Sequence, residues 1–236
     1  MGTLTFENVG KQLEAIIRSE FLSQLEKGKK RYYNEAQVQH KLGIELYKRF
    51  GIEPTLEWYV KNDESGAKEY IDMMLEIGSK KVAIELKYKT RKIDGKDYIM
   101  QGGQSDGKFH FFKDIERLER LKKSKDTDFR IDKGFAIFIT NDHLYWNEAR
   151  SNSKANKKNS VADFDLCDTK GIEKDRYCAE WRKTKKQKEQ KELKEAKNAT
   201  VTISRSHTVE WFPLSYETKK DGKTFRCLII ELHKDV

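Results

Sequence analysis

Residues 69–89 read EYIDMMLEIGSKKVAIELKYK, two apolar runs of period two on either side of Gly78-Ser79. A two-residue loop that begins with glycine closes a hairpin tightly and sets Ile77 opposite Lys80. Counting back from that turn places Asp72 opposite Glu85, and directly opposed residues point to the same face of a sheet. Glu85 and Lys87, two apart, share that face as well. The other face collects Ile71, Met73, Leu75, Ile77, Val82, Ile84, Leu86 and Tyr88, an apolar surface predicted to lie against a core. A four-residue turn would set Asp72 opposite Lys87 instead and leave the faces unchanged.

Three charges on one side of a central hairpin have two readings. In the first, the two opposed carboxylates repel unless a cation sits between them. Mg²⁺ suits such a pair because it takes oxygen ligands, keeps several waters and is held by two carboxylates plus a substrate phosphate. It would acidify a water and stabilise charge on a phosphoryl oxygen, with Lys87 beside that water to favour hydroxide or neutralise the transition state. Metal, nucleophile and cation together describe a phosphodiester hydrolase. In the second reading the hairpin has a wet face, and Lys87 makes a surface ion pair with Glu85 or Asp72 that is worth little.

Working outward, a helix is predicted over residues 7–27, where Leu13, Ile16, Ile17, Phe21 and Leu25 recur at helical spacing until Gly28, followed by a basic turn, Lys29 to Arg31. A second helix runs from its N-cap Asn34 to Gly51 with Val38, Leu42, Leu46 and Phe50 as its buried stripe. Strands follow at 55–60, 69–77 and 81–89, then a glycine-rich loop at 94–108, a helix at 109–123 and an apolar strand at 134–140. Past Asn141 come a polar loop at 151–160 and a charged, lysine-rich segment at 182–197, read as a solvated helix. Strands are predicted at 200–204, 207–212 and 225–232, the last after a turn at Asp221-Gly222. The expected fold class is α/β, a mixed β-sheet with flanking helices in one domain over 1–236, with a core at about 31–141 and an α+β extension from 142.

The 236 residues are 36% hydrophobic and 37% charged, enough apolar content for one core beneath a heavily charged surface. Lys and Arg number 48 against 39 Asp and Glu, and the resulting +9 favours polyanionic partners, nucleic acid first. Cys167, Cys178 and Cys227 form no CxxC pair and read as reduced, packed thiols. No run has the length of a membrane span and no apolar leader is visible, so the expected setting is the cytoplasm, with no membrane partner. The five histidines lack metal-binding spacing, and QGGQSDGK, residues 101–108, lacks that of a phosphate-binding loop. Trp58, Tyr59, Trp146 and Trp211 read as core aromatics.

Asp72, followed on the next strand by Glu85-Leu86-Lys87, in the order helix, three strands, helix, strand, resembles the PD-(D/E)xK nuclease superfamily, to which many restriction endonucleases belong. The resemblance covers residues 31–141. It implies a restriction endonuclease-like αβββαβ core and Asp72 and Glu85 as ligands of Mg²⁺, which Mn²⁺ replaces, with the carbonyl of Leu86 as a third. It implies that Lys87 orients or activates the attacking water, that Glu35 on the first core helix is catalytic, and that Gln39 one turn on supports it. The activity implied is a metal-dependent nuclease acting on DNA ahead of RNA, an endonuclease of restriction or defence type; members that cut both strands often act as homodimers. Ile71 stands where the strictest form of the motif has proline, and Gln104 matches only loosely the glutamine of the exonuclease-like branch. Two other readings stay open: a nucleic-acid-binding module that does not cleave, and a basic interaction protein whose sheet charges bind no metal.

Overall fold

In the computed structural model the chain is described at residues 2–26, 32, 34–62, 66–91, 104–147, 166–167, 172, 179–180, 200–214 and 225–232. Helix α1, Val9–Glu26, buries Val9, Leu13, Ile16 and Ile17 at helical spacing. Helix α2, Glu35–Phe50, starts where the Asn34 side chain accepts the Gln37 N–H at 2.9 Å and stops where Gly51, at φ 70°, donates its N–H to the Tyr47 carbonyl. Both caps are the ones the sequence calls for.

Three antiparallel strands follow: β1, Thr55–Lys61; β2, Lys68–Ile77; and β3, Lys80–Lys89. The turn from β2 to β3 has Gly78 at φ 63° and sets Ile77 opposite Lys80, the two-residue register expected. Helix α3, Gln104–Lys123, lies between β3 in the chain and β4, Lys133–Thr140, which pairs parallel to β3 and is buried throughout. Two short strands, β5 at Ala179–Glu180 and β6 at Thr200–Val201, pair with each other. Strands β7, Trp211–Pro213, and β8, Arg226–Leu232, complete a six-stranded mixed sheet of order β1-β2-β3-β4-β8-β7. The protein is thus of the α/β class. No helix among the described residues is long and apolar enough to cross a membrane.

Each face of the sheet has its own core. Helices α1 and α2 cover Met73, Leu75, Val82, Ile84, Leu86, Tyr88, Phe135 and Ile137. Helix α3 covers the opposite face, where Phe111, Ile115 and Leu118 meet Ala83, Ala136, Phe138, Leu228 and Ile230. Small residues bring α3 close: a Cβ on Gly134 would stand 3.3 Å from the Cβ of Leu118.

Four expectations need correction. Ile71 lies in the α3-side core, away from Met73 and Leu75. The cause is a half-turn in the β1–β2 ribbon at Glu57, which sits at φ 50°: Leu56 packs on the α1–α2 side and Trp58, two residues on, packs on the α3 side. The register is the same before and after, Leu56 opposite Met73 and Trp58 opposite Ile71, so the ribbon rolls over without inserting a residue. Secondly, α3 begins at Gln104, inside the stretch read as loop; Gly107 is a packing site, since a Cβ there would run into the Tyr145 side chain. Thirdly, the strand expected at 200–204 stops at Val201, because Thr202 and Ser204 give their N–H groups to Glu116 and Glu119 of α3; the strand expected over 207–212 shrinks to β7, and His207 pairs in a lone bridge with Ile172. Fourthly, Tyr59 is 40% exposed, on the outward side of the rolled ribbon against Tyr70. The basic turn at 29–31, the loop at 151–160, the lysine-rich segment at 182–197, Cys178 and Asp221-Gly222 lie outside the described residues.

Candidate active site

The charges of the opening hairpin sit where β2 and β3 part. Among the described residues their ladder runs from the turn only as far as Met73 opposite Ile84. Beyond it, side chains take over the edge of β3. Asp72 Oδ2 accepts the Leu86 N–H at 2.6 Å, and Glu35 Oε2, from the first turn of α2, accepts the Tyr88 N–H at 2.9 Å. The Asp72 N–H points at Glu85 Oε2, 3.5 Å away, and Gln39 donates its side-chain amide to the Asp72 carbonyl and, at 3.3 Å, to Glu57. An unpaired backbone N–H in the middle of a sheet is costly, and here carboxylates supply the missing acceptors.

Helix α3 closes the site from above with two residues that the motif does not contain. Lys87 Nζ lies 3.2 Å from Asp114 Oδ2 and 3.4 Å from Glu35 Oε1. Arg117 places Nε 2.8 Å from Glu85 Oε1, Nη2 2.5 Å from Asp114 Oδ1, and Nη1 3.0 Å from the Tyr70 carbonyl. Glu85 is 2% exposed and Asp114 is equally buried, so the wet-face reading of these charges does not hold. Lys87 pairs with Glu35 and Asp114, neither of which that reading invoked.

Four carboxylates, Glu35, Asp72, Glu85 and Asp114, thus face two cations, Lys87 and Arg117, and burial raises the cost of the surplus negative charge. Burial pushes Asp72 up from 3.8 to about 6; the Leu86 N–H and Lys87 pull the other way, and Asp114 and Glu35 push further. Burial, then Asp114, lifts Glu85 well above the carboxylate range against the pull of Arg117. For Lys87, burial opposes the charge but Asp114, Glu35, Asp72 and Glu85 outweigh it and raise its pKa. Lys87 is therefore a fixed ammonium near neutral pH, able to orient a water or neutralise developing charge and unable to act as a base. Arg117 is raised likewise, Glu85 and Asp114 overcoming its burial.

Whether this donor set suits a metal ion rests on oxygens that no hydrogen bond reaches. Glu85 Oε1 and Asp114 Oδ2 are buried and touch the cations Arg117 and Lys87 without hydrogen-bond geometry, and Arg117 Nε is left equally without a hydrogen bond. A spherical ion asks for no donor direction, so carboxyl oxygens of this kind fit it better than they fit a guanidinium. Asp72 and Glu85 would be the two carboxylates of such a site, a set that suits Mg²⁺ where waters and substrate fill the other positions. Among the described residues no three His, Cys, Asp or Glu side chains surround one point, so a closed, all-protein cage is not what the site offers.

Asp72, Glu85, Lys87, Glu35 and Gln39 are all brought together. Leu86 contributes the N–H that holds Asp72, while its side chain packs in the core on the far face. Asp114 and Arg117 went unnoticed in the sequence. The signal for Asp114 is there: it falls three after Phe111 and four before Leu118, inside the buried stripe of α3, where a charge needs a partner. Both residues border a cleft of about 1370 Å³ that runs along α3 past Lys113, Glu69 and Arg120 to Ser204. No family model matches the chain, and no curated protein matches it.

Proposed function

We propose that the chain is a metal-dependent nuclease with a restriction endonuclease-like core, hydrolysing phosphodiester bonds of DNA as an endonuclease of restriction or defence type. The observation that carries the reading is the buried surplus of carboxylates over cations at Asp72, Glu85 and Asp114, with Glu85 Oε1 and Asp114 Oδ2 lacking any hydrogen bond. A structural ion-pair network is expected to balance its charges and satisfy its polar atoms. Element order supports it too: α2, three antiparallel strands, α3 and a parallel β4 reproduce the order helix, three strands, helix, strand.

Asp72 and Glu85 would hold Mg²⁺ or Mn²⁺, which supplies Lewis acidity to a phosphoryl oxygen and acidifies a water. Lys87, fixed by Asp114 and Glu35, presents an ammonium that orients the attacking water and offsets charge on the phosphoryl group. Glu35 anchors β3 through Tyr88 and sets the position of that ammonium. The cleft along α3 reaches Asp114 and Arg117, which touch Lys87 and Glu85 in turn, and so offers the phosphate chain an approach from that side.

The competing reading, a nucleic-acid-binding module without cleavage, draws on Arg117, whose contact with Glu85 offers that carboxylate a protein cation. Incubation of the chain with supercoiled plasmid, linear duplex, single-stranded DNA and RNA, with Mg²⁺, Mn²⁺ or EDTA, decides between them. Cleavage that requires the metal and disappears in Lys87→Ala supports the nuclease; binding without cleavage under every condition refutes it.

A further inference from the structure

Arg117 stands between the carboxylates and the open cleft, and its three nitrogens face three different groups. Nε touches Glu85 without hydrogen-bond geometry, Nη2 bonds Asp114, and Nη1 donates to the Tyr70 carbonyl at the mouth of the site. The side chain lines the cleft, and its neighbours Asp114, Lys113 and Arg120 line it too. A guanidinium so placed has two uses for one fork of donors: bidentate pairing with a carboxylate, or bidentate pairing with a phosphate. A cation held on Glu85 by charge alone is also the one that a divalent ion displaces first, because both seek the same oxygen.

We infer that Arg117 is an exchange residue: it guards Glu85 against divalent cations, and when one takes Glu85 the freed guanidinium turns into the α3 cleft to grip a backbone phosphate of the nucleic acid. This rests on the proposed metal-dependent reading and adds to it a coupling between metal and substrate. Phosphate in the cleft draws Arg117 off Glu85 and so tightens the metal, and by reciprocity metal tightens the nucleic acid. Asp114, bonded to Nη2, is the pivot that keeps the side chain in reach of both positions.

The experiment uses the full chain with three substitutions, Arg117→Gln, Arg117→Lys and Glu85→Gln, and needs no turnover. Mn²⁺ binding is measured by calorimetry without nucleic acid, and binding of a short DNA duplex by fluorescence anisotropy in Ca²⁺ over a salt series. Arg117→Gln removes the competitor and the phosphate contact together: Mn²⁺ should bind about tenfold tighter while the duplex binds about tenfold weaker. The slope of log affinity against log salt should fall by about one, as for the loss of one phosphate contact. Arg117→Lys keeps a cation near Glu85 but loses the fork, so Mn²⁺ affinity stays near that of the parent while duplex affinity falls, which keeps the test informative if the glutamine variant folds poorly. Opposite signs in the two assays are the result that a merely structural arginine does not produce. Mn²⁺ binding unchanged or weakened in Arg117→Gln, with Glu85→Gln abolishing it, overturns the exchange role and leaves the metal site standing. Mn²⁺ binding unaffected by Glu85→Gln overturns the metal site itself, and the exchange with it.

Discussion

Asp72→Asn tests whether the site is kept at the expense of stability. Burial raises the Asp72 carboxyl from 3.8 to about 6, a shift of about two units at about 1.4 kcal/mol each, so its ionised form costs the fold about 3 kcal/mol. Below about pH 4 the group is protonated in both folded and unfolded chains and contributes nothing. Between about pH 4 and 6 the folded chain holds the proton and the unfolded chain does not, so stability falls as pH rises, and above about pH 6 the full cost is present. Asparagine removes the charge and keeps an oxygen to accept the Leu86 N–H. At pH 7.5 without metal the variant should therefore melt about 6 to 12 °C above the parent, given about 2 to 4 °C per kcal/mol for a chain of this size. The gap should close toward pH 4. Saturating Mn²⁺ should raise the parent, by about 2.7 kcal/mol at a hundredfold excess over its Kd, and leave the variant where it was. A variant less stable than the parent at pH 7.5, or a gap that does not change with pH, would show that the carboxylate is there to hold the fold, and the argument from surplus charge would fail.

Lys87→Ala should lower metal-dependent cleavage by at least about a hundredfold while duplex affinity in Ca²⁺ stays within a factor of about two, since phosphate contacts elsewhere on the basic chain persist; steady cleavage would remove Lys87 from the chemistry. Gly107→Ala pushes a Cβ into the Tyr145 side chain and should cost about 1 to 3 kcal/mol in chemical denaturation, with Mn²⁺ binding unchanged; an unaltered midpoint would mean that α3 does not need this close approach. Glu119→Ala strips the acceptor from the half-buried Ser204 N–H and hydroxyl and from the buried His207, and should expose residues 200–207 to faster hydrogen exchange at a cost of about 1 to 3 kcal/mol. Burial raises the Glu119 pKa, but His207 and Ser204 outweigh it and hold the carboxyl below its usual value. That contribution is complete above the ordinary carboxylate range and is lost as pH falls through the lowered value, so parent and variant should converge in acid.

Much of the sheet was legible because local chemistry dictates it. Gly78-Ser79 favours a tight turn, that turn sets the register as far as Met73 opposite Ile84, and the period of two along β3 carries Glu85 and Lys87 to one face; Asp72 joins them from where the strands part, through the Leu86 N–H. Asn34 and Gly51 mark α2 for the same kind of reason, a backbone group that only certain residues satisfy. What could not be read is what tertiary contact decides. Glu57 at a positive φ rolls the ribbon over and sends Ile71 to the other core, and nothing in TLEWYV announces it. Gln104 to Lys108 look like loop because glycine lowers helix propensity, but the space that Tyr145 needs outweighs a cost of about 1 kcal/mol. Arg117 shows no periodic signal at all, since a polar residue on a charged helix reads as solvated until the face it meets is known.

The carboxylates of the site divide their labour by oxygen. Asp72 Oδ2 holds the Leu86 N–H, Glu35 Oε2 holds the Tyr88 N–H, Glu85 Oε2 faces the Asp72 N–H and Asp114 Oδ1 bonds Arg117. The second oxygens of three of them, Glu35 Oε1, Glu85 Oε1 and Asp114 Oδ2, turn to Lys87 and Arg117, and the last two do so without a hydrogen bond. For Asp72, Glu35 and Glu85 one oxygen is thus turned to a backbone N–H, an arrangement that preorganises these carboxyl groups. It follows that alanine and amide substitutions report different things here. Alanine removes anchor and charge together and lets β2 and β3 part further; asparagine or glutamine keeps the anchoring oxygen and removes only the charge. If the parting of the strands exists to present those second oxygens, amide variants will keep the fold and lose the metal, and the alanine variants will lose both.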